Sequence, residues 1–127
     1  MAYSSAYQTY KNNAILTASP QELALMLYDG ALKFCKQAIK AIEEKNMSEA
    51  HRHILRIEDI IEEFQATLDK KYPISNELAA LYDYIYRRLV EANIKKDMAI
   101  LEEVYDLIKE LRDTWKEAMK LAKTQSV

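Results

Sequence analysis

The segment TASPQELALMLYDGALKF, Thr17 to Phe34, decides the fold. Ser19 belongs to the residue types that cap helix N-termini through a side-chain oxygen. Pro20 suits the first helical position, where a missing N–H costs nothing. Glu22 stands three residues after Ser19 and completes a capping-box pattern. Leu23, Leu25, Met26, Leu27, Tyr28, Leu32 and Phe34 follow. A helix that covers a core on one side needs a single apolar stripe. This segment has more, so its helix is either buried on several sides or keeps a face for a partner. The seam Leu23, Leu27, Ala31, Phe34, Ala38, Ile42 predicts a helix over about 20–45, with Leu25, Tyr28, Leu32, Cys35 and Ile39 widening the stripe. Asp29-Gly30 resembles a hairpin turn, but its flanks do not alternate polar and apolar. The expectation is that Gly30 admits a closely packed neighbouring helix, at about 1 kcal/mol of propensity relative to Ala.

Outward from this segment the same period recurs. Asn46 and Glu49 form a second start signal, and Ala50, Ile54, Ile57, Ile61, Phe64 and Leu68 follow at alternating steps of four and three, which predicts a helix over about 47–70. Tyr72-Pro73 is a breaker. Ser75 opens a third helix over about 75–93, with Leu78, Tyr82, Ile85, Leu89 and Ala92 on its seam. Asp97 caps a fourth over about 97–122, with seam residues Leu101, Val104, Ile108, Leu111, Trp115, Ala118 and Ala122. Its acids gather early and its bases late, matching the helix dipole. Four such helices with short links pack antiparallel. The expected architecture is all-α: an up-and-down four-helix bundle over 19–127, preceded by a tyrosine-containing N-terminal tail at 1–18 that orders only when docked.

Composition narrows the function. With 127 residues the chain is long enough for one domain with a sizeable core. One Gly and two Pro are too few for a turn-rich β architecture. A net charge of −2, from 18 basic and 20 acidic residues, does not suit a nucleic-acid binder. The single Cys fits a reducing compartment, and neither a signal peptide nor a membrane-spanning run is visible. The expectation is a cytoplasmic protein without stable membrane insertion.

Catalytic patterns are missing. His51 and His53, the two histidines, point in different directions on a helix and do not chelate one metal easily. A histidine phosphotransfer bundle is an alternative by fold analogy, but the residues after His53 lack the Lys-Gly pair that such domains use. Cys35 reads as a buried, inert thiol. No phosphate cradle or nucleophile elbow occurs, and no enzyme activity or cofactor is expected. What the chain has in excess is apolar surface, and nine Tyr suit interfaces. Periodicity leaves two readings open: a wide ordinary core, or a long groove that receives an amphipathic helix.

The chain resembles the FliS family of flagellar secretion chaperones. The matching residues are Tyr7 and Tyr10, T-A-S-P-Q-E-L from Thr17, M-L-Y-D-G-A-L-K-F from Met26, L-Y-D-Y from Leu81, R-L-V-E-A-N from Arg88, L-E-E-V from Leu101 and E-L-R-D-T-W from Glu110. The resemblance implies a helical bundle that binds the C-terminal region of unassembled flagellin, prevents premature polymerisation and hands its client to the membrane export gate of the flagellar type III apparatus. It leaves room for a second flagellin-assembly regulator and for a monomer or weak dimer. Candidate flagellin contacts are Ile57, Ile61, Leu68, Leu78, Leu81, Tyr82, Ile85, Leu89, Leu101, Tyr105 and Ile108, several of which also lie on the seams. Tyr7, Tyr10, Ile15 and Leu16 of the tail are candidates to occupy the empty groove. The segment Thr17–Phe34 is expected to be scaffold. The rival reading is a helical adaptor that uses its extra apolar surface to self-associate.

Overall fold

Four α-helices make up the computed structural model, which describes residues 18–125: α1 Pro20–Glu43, α2 Met47–Thr67, α3 Ser75–Lys95 and α4 Met98–Gln125. The start signals act as expected. Ser19 Oγ accepts the Glu22 N–H at 3.1 Å, and Asn46 Oδ1 accepts the Glu49 N–H at 3.2 Å. Asp97 Oδ1 accepts the N–H of Ala99 at 2.8 Å and of Ile100 at 3.4 Å. Each bond satisfies an orphan donor of a first helical turn.

Helix ends differ from expectation by a few residues, for local reasons. Lys45 adopts a left-handed conformation with φ 60°. The Asn46 N–H then reaches Ala41 O at 2.8 Å and the Lys45 N–H reaches Ile42 O at 2.9 Å, a Schellman closure that ends α1 at Glu43. Lys96 repeats the device at the end of α3 with φ 53°, and the Asp97 N–H bonds Ala92 O at 3.1 Å. In both links the residue after the left-handed lysine is itself the cap of the next helix. α2 stops at Thr67, ahead of Tyr72-Pro73, because Leu68 turns extended.

α1 packs against α2 and α4, and α3 packs against the same two. α1 and α3 are therefore diagonal, and neighbours run antiparallel. Ala31, Cys35 and Ala38 of α1, Ile54, Ile57 and Ile61 of α2, Ile85 and Leu89 of α3, and Leu101, Val104 and Ile108 of α4 are wholly buried. Each large aliphatic among them contributes about 1.5–3 kcal/mol by leaving water. Burial pushes the Cys35 thiol up to about 12, so it stays protonated and inert.

Two expectations about α1 need correction. Its buried face is Tyr28, Ala31, Leu32, Cys35, Ala38, Ala41 and Ile42, whereas Leu23, Leu27 and Phe34 are only half-buried. Gly30 does not mark a close approach, since a Cβ placed there would lie 3.9 Å from Ile60 Cδ1, an ordinary contact. The small residues Ala31, Cys35 and Ala38 let the neighbouring helices in instead.

An apolar groove at the open end of the bundle

The two ends of the bundle are built differently. The α1–α2 and α3–α4 links, 44–46 and 96–97, lie at one end and reverse the chain in three and two residues. Small side chains there (Ala38, Ala41, Ala50, Ala92) allow the axes to approach. At the other end the α2–α3 link takes the seven residues 68–74, and three aromatic rings stand between the helices. Tyr28 stacks on Phe64 with centroids 4.3 Å apart, and Phe64 on Tyr82 at 5.8 Å. Rings of this size hold helix axes apart, and the apolar seams beyond them lose their partners.

The result is an open cavity of about 980 Å³. The Tyr28–Phe64–Tyr82 stack is its floor. Leu23, Ala24 and Leu27 of α1, Leu78 and Leu81 of α3, and Leu107, Leu111 and Trp115 of α4 form its walls. Leu68, Tyr72 and Ile74 of the long link make a lip, on which Tyr72 and Ile74 are more than half exposed. The tyrosine hydroxyls of the floor satisfy each other, with Tyr28 Oη and Tyr82 Oη 3.1 Å apart. Burial raises the pKa of both. For Tyr28 the bond to Tyr82 raises it further, while for Tyr82 the same bond offsets part of the rise. Both remain neutral, and the floor keeps no unpaired polar group. Trp115 Nε1–H donates to Gln21 O at 3.0 Å, tying the far half of α4 to the first turn of α1.

The sequence-derived candidates divide on this geometry. Leu68, Leu78, Leu81 and Tyr82 line the groove, Tyr82 as part of its buried floor. Ile57, Ile61, Ile85, Leu89, Leu101 and Ile108 have no exposure and belong to the core. Tyr105 is half-buried outside the groove, where Lys36 Nζ lies 5.5 Å from its ring centre. Tyr7, Tyr10, Ile15 and Leu16 lie outside the described residues. The groove also contains residues that the sequence reading assigned to scaffold: Pro20, Gln21, Leu23, Ala24 and Leu27 supply one wall and Tyr28 part of the floor. The available signal was the seams themselves. Leu23, Leu27, Leu68, Leu78, Leu111 and Trp115 are seam residues left partly exposed, and all six are on the groove.

Two of the extra tyrosines have a structural use. Tyr84 Oη donates to Glu103 Oε2 at 3.1 Å and Tyr86 Oη to Glu62 Oε1 at 2.9 Å, so these tyrosines strut α3 to its two neighbours. The histidines lie toward the closed end. The His51 ring pairs with the Asn93 side-chain amide, and His53 stacks on Phe34 at 6.0 Å with Glu49 at 3.5 Å. Burial, then the Arg52 charge, lowers the His53 pKa. Among the described residues no group of three or more His, Cys, Asp or Glu is arranged to hold a metal.

This geometry has relatives. The family model described as flagellar protein FliS matches residues 3–122. The chain belongs to the FliS family. The flagellar secretion chaperone FliS of Bacillus subtilis is 43% identical over 119 residues, covering 94% of this chain and 90% of that protein. Its Escherichia coli namesake is 34% identical over 110 residues, covering 84% of this chain and 81% of its own length. The Salmonella typhimurium protein is 32% identical over 113 residues, 87% and 84% respectively. FliS relatives are thus named as secretion chaperones. As to membranes, no helix among the described residues is long and apolar enough to cross one.

Proposed function

We propose that this FliS-family chain is a cytoplasmic chaperone for flagellin. It binds the C-terminal segment of unassembled flagellin, keeps it from polymerising, and presents it to the cytoplasmic domain of the flagellar type III export gate. The observation that carries this reading is the open-end groove: a cavity of about 980 Å³ walled by leucines, with Trp115 at one edge. The two tyrosine hydroxyls of its floor are paired with each other, so the floor suits the apolar face of a helix better than a small polar substrate.

The energetics fit a carrier. Each leucine-sized anchor that enters the groove contributes about 1.5–3 kcal/mol. Ordering a disordered client costs about 2–5 kcal/mol or more, and lost overall freedom about 4–15 kcal/mol. Several anchors are required, and the surplus is small enough to permit release. The tail residues Tyr7, Tyr10, Ile15 and Leu16 are proposed to occupy this groove when no client is present. The first helix begins beside it, at Pro20 on the wall. Deleting residues 1–16 then tightens flagellin binding, whereas weaker binding would mean that the tail contributes client contacts.

Calorimetry with a synthetic flagellin C-terminal segment tests the function. One-to-one binding that Ile74→Asp weakens at least tenfold, with unchanged helicity, supports it. Binding indifferent to that substitution counts against the groove. Concentration-dependent self-association in light scattering, abolished by the same substitution, would favour the adaptor reading.

A further inference from the structure

The groove is apolar inside, but the charges at its edge have one sign. Glu63 of α2 and Glu110 of α4 line it, together with Asp69 of the long link, and no Lys or Arg does. Composition does not explain this, because the whole chain has 18 basic residues against 20 acidic ones. Of the two cations that flank Glu110 in α4, Lys109 does not line the groove, and Arg112 is engaged elsewhere: its guanidinium binds Asp29 Oδ1 at 2.8 Å and Asp113 Oδ1 at 2.7 Å. Asp69 is partly neutralised, since its carboxylate accepts the Lys71 N–H at 3.1 Å and sits 3.7 Å from Lys71 Nζ. Glu63 and Glu110 have no ion pair among the described residues.

Their positions matter. α2 and α4 are diagonal in the bundle, each packed on α1 and α3. Glu63 and Glu110 therefore reach the groove from helices at opposite corners of the bundle. A neutral or acidic helix placed there would crowd both carboxylates without compensation. A helix with Lys or Arg on both borders of its apolar stripe would lay the aliphatic stems along the leucine walls and bring the cations to the carboxylates. A low-dielectric cleft with one sign of charge at its mouth also focuses the field and speeds the encounter with an opposite charge.

We infer that the groove is selective for a basic amphipathic helix, with cationic residues flanking both sides of the apolar stripe. This rests on the reading of the groove as the client site and specifies which part of the client enters it. Rim pairs of this kind act on association rate and partner choice more than on final affinity.

The test uses the full chain and the synthetic flagellin C-terminal segment, with association rates followed by stopped flow from about 50 to 500 mM salt. The expected rate falls about tenfold across that range. The double substitution Glu63→Lys and Glu110→Lys lowers the low-salt rate about tenfold and removes the salt dependence, and the Gln pair falls between. Replacing Lys or Arg of the peptide with Glu restores fast binding to the double-Lys chain. Both glutamates are exposed, so these variants fold. If the double-Lys chain binds as fast as the native one with a flat salt response, while Ile74→Asp still weakens binding, the groove stands and the cationic occupant is overturned. If Ile74→Asp has no effect either, both readings fall. If the Lys substitutions change only self-association, the occupant is a second copy of the chain and the inference is likewise overturned.

Discussion

At the closed end of this bundle the chain turns within two or three residues, the links carry left-handed lysines, and the seams meet across small side chains. At the open end apolar residues continue past the aromatic stack, but a seven-residue link and the stack of three aromatic rings keep the helices apart. The apolar residues are of one kind in both places. What differs is whether a partner helix of the same chain is present. The groove is thus a continuation of the core that lacks its last layer, and on the proposed function a client helix supplies it.

The comparison makes graded predictions. Ile54 has no exposure, so Ile54→Ala should cost about 2–5 kcal/mol in urea denaturation. Leu78→Ala at the open end should cost well under half of that while weakening flagellin binding. Equal costs at both sites would mean that the open end is packed like the closed one. The paired hydroxyls of the floor come next. Tyr28→Phe alone strands the Tyr82 hydroxyl and should cost about 1–3 kcal/mol. The double change Tyr28→Phe with Tyr82→Phe should recover most of it, which a double-mutant cycle reads directly.

Glu58 gives a pH signature for the middle of the bundle. It is buried, its Oε2 has no partner among the described residues, and burial, with Glu62 and Asp59 adding to it, raises its pKa. A carboxyl raised on folding favours the folded state most when protonated, and this advantage is lost as pH rises from the ordinary glutamate value through the raised one. Glu58→Gln should therefore be more stable than the native chain near neutral pH, with the gap closing toward pH ~4. A constant difference in melting temperature between those pH values would refute this.

The smallest effects belong to the backbone. Lys45→Gly relieves a left-handed non-glycine residue and should stabilise by about 1 kcal/mol. Gly30→Ala should stabilise by up to about 1 kcal/mol, because the Cβ meets only an ordinary contact. Destabilisation by Gly30→Ala would restore the close-approach explanation.

These contrasts also explain what could be read from the sequence. Capping chemistry is local, and Ser19, Asn46 and Asp97 act as read. The seam of α2 is correct from Ala50 to Phe64, because a step of four and three identifies the inner face whatever lies opposite. In α1 the expected seam holds at Ala31, Ala38 and Ile42 but not at Leu23, Leu27 and Phe34, because apolar residues go most of the way round and the small ones decide the packing face. The groove was not legible for a related reason. Leu78 and Leu89 occupy equivalent seam positions on α3, yet Leu89 is sealed and Leu78 half-open. Whether a neighbouring helix is within reach at that level depends on side chains from three other segments. Placing Ile57 or Ile108 among client contacts and Leu23 or Leu27 in the scaffold follows from that missing distance.

Trp115 offers the most direct test of the central claim that the client completes the open end. It is the one tryptophan of the chain and lines the groove, bonded to Gln21 O. Titration with a tryptophan-free flagellin C-terminal segment should give a saturable change in its emission, at the concentrations where calorimetry reports binding, and Ile74→Asp should shift both curves together. Binding seen by calorimetry with the Trp115 emission unchanged would place the client elsewhere and contradict the account.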